Sequence, residues 1–107
     1  MMNSCNFAGR LVADPKMYEG ESNRATFTLA VDGDVPSDEA VYLDFVAWRD
    51  KANYIARRFH KGDLMLVVNA KANVRNIEKD GKKSRKIEFE VGKAYCVSRH
   101  REENDER

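Results

Sequence analysis

The segment AVYLDFVAWRDKANYIARRFHKG, Ala40 to Gly62, reads as one strand running directly into one helix. Side chains alternate along an extended chain, so Leu43, Phe45 and Ala47 share one face, and Tyr42, Asp44, Val46 and Trp48 share the other. The first set is uniformly apolar and should face a core. The second then puts two large aromatics on the opposite side, where water gives them little reason to be. Beyond Trp48, Ala52, Ile55, Ala56 and Phe59 follow the i, i+3, i+4, i+7 spacing of a buried helical stripe. Asp50 is expected to cap this helix and Gly62 to end it.

Working outward, residues 4–12 read as a strand with Gly9 inside it, as at a bulge or a barrel corner. Asp14-Pro15 breaks it, and Lys16 to Tyr18 can make a short return strand. Arg24 to Val31 alternates cleanly, with Ala25, Phe27, Leu29 and Val31 on the apolar side. The polar stretch 32–39 is a loop. Beyond the helix, the apolar run 63–68 is expected to be a strand buried on both faces. Asp80-Gly81 carries the signal of a tight hairpin turn, followed by a strand over 84–91 and a further extended piece at 94–97. The order predicts an all-β fold with one helix: a five-stranded OB-type barrel, the helix between its third and fourth strands and plugging one end. An SH3-like barrel and an open α+β sheet are the alternatives; the long helix counts against the first and the glycine-marked bends against the second.

The chain has 107 residues, 42% apolar and 35% charged, with a net charge of +1. That suits one domain, assigned to residues 1–97, with a charged and disordered tail over 98–107. The distribution of charge says more than its total. Residues 1–48 hold three basic and eight acidic side chains, residues 49–61 five and one, and residues 71–93 eight and four. Two compact basic segments point to a localised anion-binding surface, with ordinary solvated charge as the competing reading.

No apolar run approaches the length of a membrane span, and no secretion signal opens the sequence. Cys5 and Cys96 lie in apolar contexts, as small reduced core-filling residues of a cytosolic protein do. Two cysteines and two histidines without paired spacing do not make a zinc site, and no cofactor is implied. Nucleophile elbows, phosphate-cradling loops and H-E-x-x-H are all lacking, so catalysis is not expected.

Aromatic platforms beside a basic groove are the equipment for binding single strands of nucleic acid. Tyr42 and Trp48 are the candidate platforms. Lys71, Arg75, Lys79, Lys82, Lys83, Arg85 and Lys86 are the candidate phosphate contacts, on a hairpin projecting beyond the barrel. Against this, Trp48 can be the last core residue of its strand and Tyr42 a half-buried sheet residue.

These same segments resemble the bacterial and phage single-stranded-DNA-binding proteins. The likeness runs in order through NFAGRLVADP at 6–15, RATFTLAV at 24–31, FVAWRDKANYIARRFHKG at 45–62 and VNAKANVRNIEKDGK at 68–82. It implies an OB fold, sequence-tolerant binding of single-stranded DNA in replication, recombination or repair, no catalysis, and a homo-oligomer, a tetramer ahead of a dimer. By position, Tyr42 and Trp48 fall where family members stack bases. Arg10, Arg49, Lys61, Lys71 and Arg75 fall at or near positions that are often basic. Ile77 stands where many members carry a further stacking aromatic, which leaves a weaker third contact. Residues 63–67 run one longer than the common pattern. Asp44 lies on the presumed binding face and should repel phosphate unless Arg75 or a lysine pairs with it.

Many cellular members end in an acidic tip that recruits replication enzymes. Here the last ten residues mix three arginines with four acids. The expectation is a short phage or mobile-element form in which that recruitment is absent or rerouted. The alternatives in other classes are a protein-interaction module of the primosome-accessory type and a binder of single-stranded RNA, since nothing in the sequence reads a 2′-hydroxyl.

Overall fold

The computed structural model describes residues 1–99. These form seven strands and one helix: β1 (Cys5–Leu11), β2 (Lys16–Tyr18), β3 (Arg24–Val31), β4 (Val41–Trp48), α1 (Asp50–Arg58), β5 (Leu64–Lys79), β6 (Lys82–Glu90) and β7 (Lys93–Ser98). Residues 100–107, most of the stretch expected to be a disordered tail, lie outside the described residues.

The sheet closes on itself. Its order is β1-β3-β4-β6-β5, and β5 pairs again with β1. Closure removes the free edges that an open sheet would leave. This is the five-stranded ring of the expected OB-type barrel, with the helix between its third and fourth members. β2 lengthens it beside β3, and β7 runs antiparallel to the first half of β5. The ring's seam is a short parallel contact, Phe45 with Phe89 and Val46 with Glu90.

Inside lie Phe27, Leu29, Phe45, Met65, Val67 and Ala70, all buried. Phe27 and Phe45 stack at 5.2 Å, and Phe7 meets Phe45 and Phe89 edge-on at 5.5 and 4.7 Å. The helix contributes Ala52 and Ile55, and Phe59 follows, all fully buried. The helical spacing therefore marks the face that packs on the barrel. Gly9 matches its reading as a corner residue: a Cβ there would sit 2.6 Å from the Ala30 carbonyl oxygen, so only glycine lets β1 pass from β5 to β3.

Three local expectations are corrected. Asp50 does not cap α1. It is the first helical residue, and the cap position belongs to Arg49, at φ 56 with no side-chain bond. The turn there is held by the backbone instead: the Arg49 N–H donates to the Asn23 carbonyl at 2.7 Å, and the Asn53 N–H to that of Arg49 at 3.1 Å. Gly62 does not terminate the helix, which ends when Phe59 turns extended. Gly62 lies in the following turn at φ 91, its N–H bonded to the Leu11 carbonyl. Nor is 63–68 buried on both faces. Met65 and Val67 point inward and are fully buried, whereas Leu64, Leu66 and Val68 are half-buried, because only the barrel side is closed.

At the start of β5, Asp63 is 2% exposed and accepts from the His60 backbone N–H at 2.9 Å and from Arg99 at 3.1 Å. Arg99 also donates to the Arg58 carbonyl and lies over the Phe59 ring. This knot ties the end of β7 to the end of the helix.

Candidate nucleic-acid interface

Residues that oppose each other across a ladder project to the same side. The register therefore reconstructs the barrel's outer face row by row. Arg10 opposes Ala30, which opposes Tyr42; Thr28 opposes Asp44; Arg24 opposes Trp48. Across the seam, Glu90 adjoins Val46 and opposes Lys71. Alternation then carries Arg75, Ile77 and Lys79 of β5, and Lys82 and Lys86 of β6, onto that side.

Tyr42 is 65% exposed and Trp48 39%. Neither ring is sealed in the core. They stand on one face of β4, about 20 Å apart by strand rise. Val46, between them, is the exception on that face: it is buried at 3% exposure, flanked in register by Thr26 and Glu90.

The basic residues divide. Lys71, Arg75 and Lys82 lie on the face of the two rings, with Ile77 half-buried among them. Arg10 joins the Tyr42 end, its guanidinium bonded to the Gly62 carbonyl at 3.0 Å, and Lys61 sits in the adjoining turn, its N–H bonded to Asp14 at 2.7 Å. Arg49 directly follows Trp48, in a strained backbone conformation of a kind that costs on the order of 1–3 kcal/mol. Lys83 and Arg85, by contrast, oppose Glu78 and Asn76 on the reverse of the ribbon, beside the exposed pair Val74 and Ile87. Alternation through the two-residue turn already implied this split. Asp80 and Gly81, at φ 55 and 76, hold Lys79 opposite Lys82.

A groove of about 400 Å³ crosses the outer face, from the Val12–Asp14 connection over Thr26, Thr28 and Asp44 to Lys86, Glu88 and Arg75. Asp44 has the pairing its position demanded, although the partner is Lys86, with Nζ 2.8 Å from one carboxylate oxygen, and not Arg75. The Thr28 hydroxyl donates to the other oxygen at 2.6 Å. Partial burial alone would push this carboxyl up. The bonds from Lys86 and Thr28 and the lysine's charge outweigh it and hold the group below its ordinary value of 3.8. Arg75 leans instead toward Glu88, at 3.7 Å.

Tyr18 also lines the groove, 43% exposed, with the Arg24 guanidinium 4.5 Å from its ring centre. Sequence reasoning missed this pair. A three-residue strand carries little periodicity, and only pairing with β3 sets Tyr18 beside Arg24. Among the described residues, no cluster of histidine, cysteine or carboxylate could hold a metal ion, and no helix is long and apolar enough to cross a membrane.

Comparison with known proteins gives the chain a family. The Single-strand binding protein family matches residues 2–96. A single-stranded DNA-binding protein of Fusobacterium nucleatum is 33% identical over 90 residues, covering 77% of this chain and 58% of that protein. One of Malacoplasma penetrans is 27% identical over 92 residues, covering 84% of this chain and 49% of that protein. The chain thus spans about half the length of the curated relatives it matches. With the family match running from the first strand to the last, over a closed barrel bearing two exposed rings, this chain belongs to the single-strand binding protein family.

Proposed function

We propose that this chain binds single-stranded DNA without catalysis and with broad sequence tolerance, sheltering it during replication, recombination or repair. One observation carries the reading: Tyr42 and Trp48 stand exposed on the same outer face as Lys71, Arg75, Lys82 and Lys86. Rings receive unpaired bases, while the cations receive phosphates on either side. Duplex DNA offers no base face to stack upon. The curated relatives, both named as single-stranded DNA-binding proteins, support the same reading.

Titrating the protein with oligo-dT should quench Trp48 fluorescence, and duplex of equal length should not. Absence of quenching with oligo-dT would sink the site. The apparent affinity should fall as salt rises, because phosphate contacts release counterions.

The proposal extends to a cytosolic homo-oligomer, a tetramer ahead of a dimer. Its support is apolar surface on β7 and the first half of β5: Tyr95 and Val97 are 50% and 58% exposed, next to half-buried Leu64 and Leu66. Light scattering that returned the monomer mass at micromolar concentration would remove it.

A further inference from the structure

The face that carries the two rings is not uniformly cationic. Asp44 stands between them on β4, about 7 Å from Tyr42 and about 13 Å from Trp48 by strand rise. A single strand stacked on both rings has to pass over it. The carboxylate cannot swing away, because Thr28 holds one oxygen and Lys86 the other, at 2.6 and 2.8 Å. Its capacity is nonetheless not exhausted. A carboxylate offers about four lone-pair sites, and these two bonds use half of them. The side chain is still 32% exposed and forms part of the groove floor. Thr28 commits its only hydroxyl proton to Asp44, so it has none left for a base. Lys86 keeps two N–H groups, suited to phosphate. Of the groove's other carboxylates, Glu88 faces Arg75 at 3.7 Å and Asp14 accepts from the Lys61 N–H. At Asp44, the carboxylate held between the rings, the unspent capacity is therefore acceptor in type, with the remaining donors of Lys86 beside it.

We propose that Asp44 is a specificity-determining residue, biasing this interface toward bases that bear an exocyclic amine and, between the pyrimidines, toward cytosine over thymine. The inference rests on the reading that this face binds single-stranded DNA. Cytosine presents an N4 amine that a carboxylate accepts from, whereas thymine places the O4 oxygen at the same point, where two acceptors repel, and its one edge donor, N3–H, lies between two carbonyl oxygens that a carboxylate reaching it must also approach. The two pyrimidines have rings of one size, so comparing them isolates the base edge from the stacking surface.

The test measures affinity of the full chain for oligo-dC and oligo-dT of equal length, at pH 8 and one salt concentration, with Trp48 fluorescence as the signal. Asp44→Asn should lower the dC-to-dT affinity ratio about fivefold, the lower end of what one good base contact supplies. It should also tighten binding of dT, because a negative charge leaves the phosphate path. Lys71→Gln, which removes a cation of the same face and leaves both bonds to the carboxylate in place, should weaken both oligonucleotides and keep the ratio. A ratio unchanged by Asp44→Asn, or one abolished equally by Lys71→Gln, overturns the assignment while the DNA-binding reading stands. Failure of the unaltered protein to bind either oligonucleotide overturns both.

Discussion

The two halves of β5 share a strand and little else. Residues 64–70 run between β1 and β7 and bury Met65, Val67 and Ala70 completely. Residues 71–79 pair with β6 alone, and only Ala72 and Ile77 are even half-covered. The change comes at Asn69, whose φ of 58 places it in the left-handed region that asparagine tolerates better than most residues. Its N–H is held by the Asn6 side chain at 3.0 Å, and Ala72 exchanges two bonds with the Asn3 side chain, each 3.0 Å, which extends the pairing of β1 by side chain. An isolated two-stranded ribbon is marginal in water. This one is ordered because it prolongs a strand already locked in the barrel. One half of the strand supplies stability, and the other carries exposed charge at almost no cost to the core.

The largest effects should break this contrast if it is wrong. Met65→Ala should cost about 2–5 kcal/mol of folding stability by denaturant titration, because it empties a fully buried site. Ile87→Ala, on the exposed ribbon, should stay within about 0.5 kcal/mol. Equal losses would mean that the ribbon is packed against something. Next in size, Trp48→Ala should weaken binding of single-stranded DNA by about 1–3 kcal/mol; unchanged affinity in a folded variant would make Trp48 a structural residue only. Smaller still, Lys71→Ala or Lys82→Ala should each reduce the slope of log affinity against log salt by about 0.7, while Lys83→Ala and Arg85→Ala, on the reverse side, should leave it unaltered. Equal slopes from both sets would show that the ribbon is wrapped and not merely touched.

The smallest effect concerns acid. The Asp44 carboxyl lies below its ordinary 3.8 in the folded protein, so it binds its proton less readily there than in the unfolded chain. Its contribution to stability is present above that ordinary value and fades as pH falls through the lowered one. Melting temperatures of the unaltered protein and Asp44→Asn, followed from pH 7 to pH 2, should converge toward the acid end. A constant gap would show that the pair with Lys86 adds nothing.

Much of this was legible in the chain. The alternation of Arg24–Val31 set a strand with its inner face, the Ala52-Ile55-Phe59 spacing marked the packed side of the helix, and Asp80-Gly81 marked the turn that registers β5 on β6. Each is a local pattern, because strand and helix periodicity and left-handed turn residues act over a few positions. The division of the hairpin cations between two faces was equally available from alternation across that turn, yet a list of basic residues conceals it. Asp63 was not readable: its burial under Arg99 joins positions 36 residues apart. Nor did any pattern indicate that Arg49 would occupy the helix cap position, since its backbone is held by Asn23 from another segment.

The amino-acid order by itself determined which side chains share a face, where the chain turns, and that two rings and a cationic ribbon belong to one barrel. Only the closed tertiary structure decided what lies next to what on that barrel's surface. Lys86 reaches Asp44 because β6 comes back beside β4 in parallel at the seam, 42 positions later in the chain. Whether a charge is free for a ligand or spent on a neighbour depends on such long-range contacts. Coulombic and hydrogen-bond partners are chosen by distance in space, which periodicity along a strand does not encode.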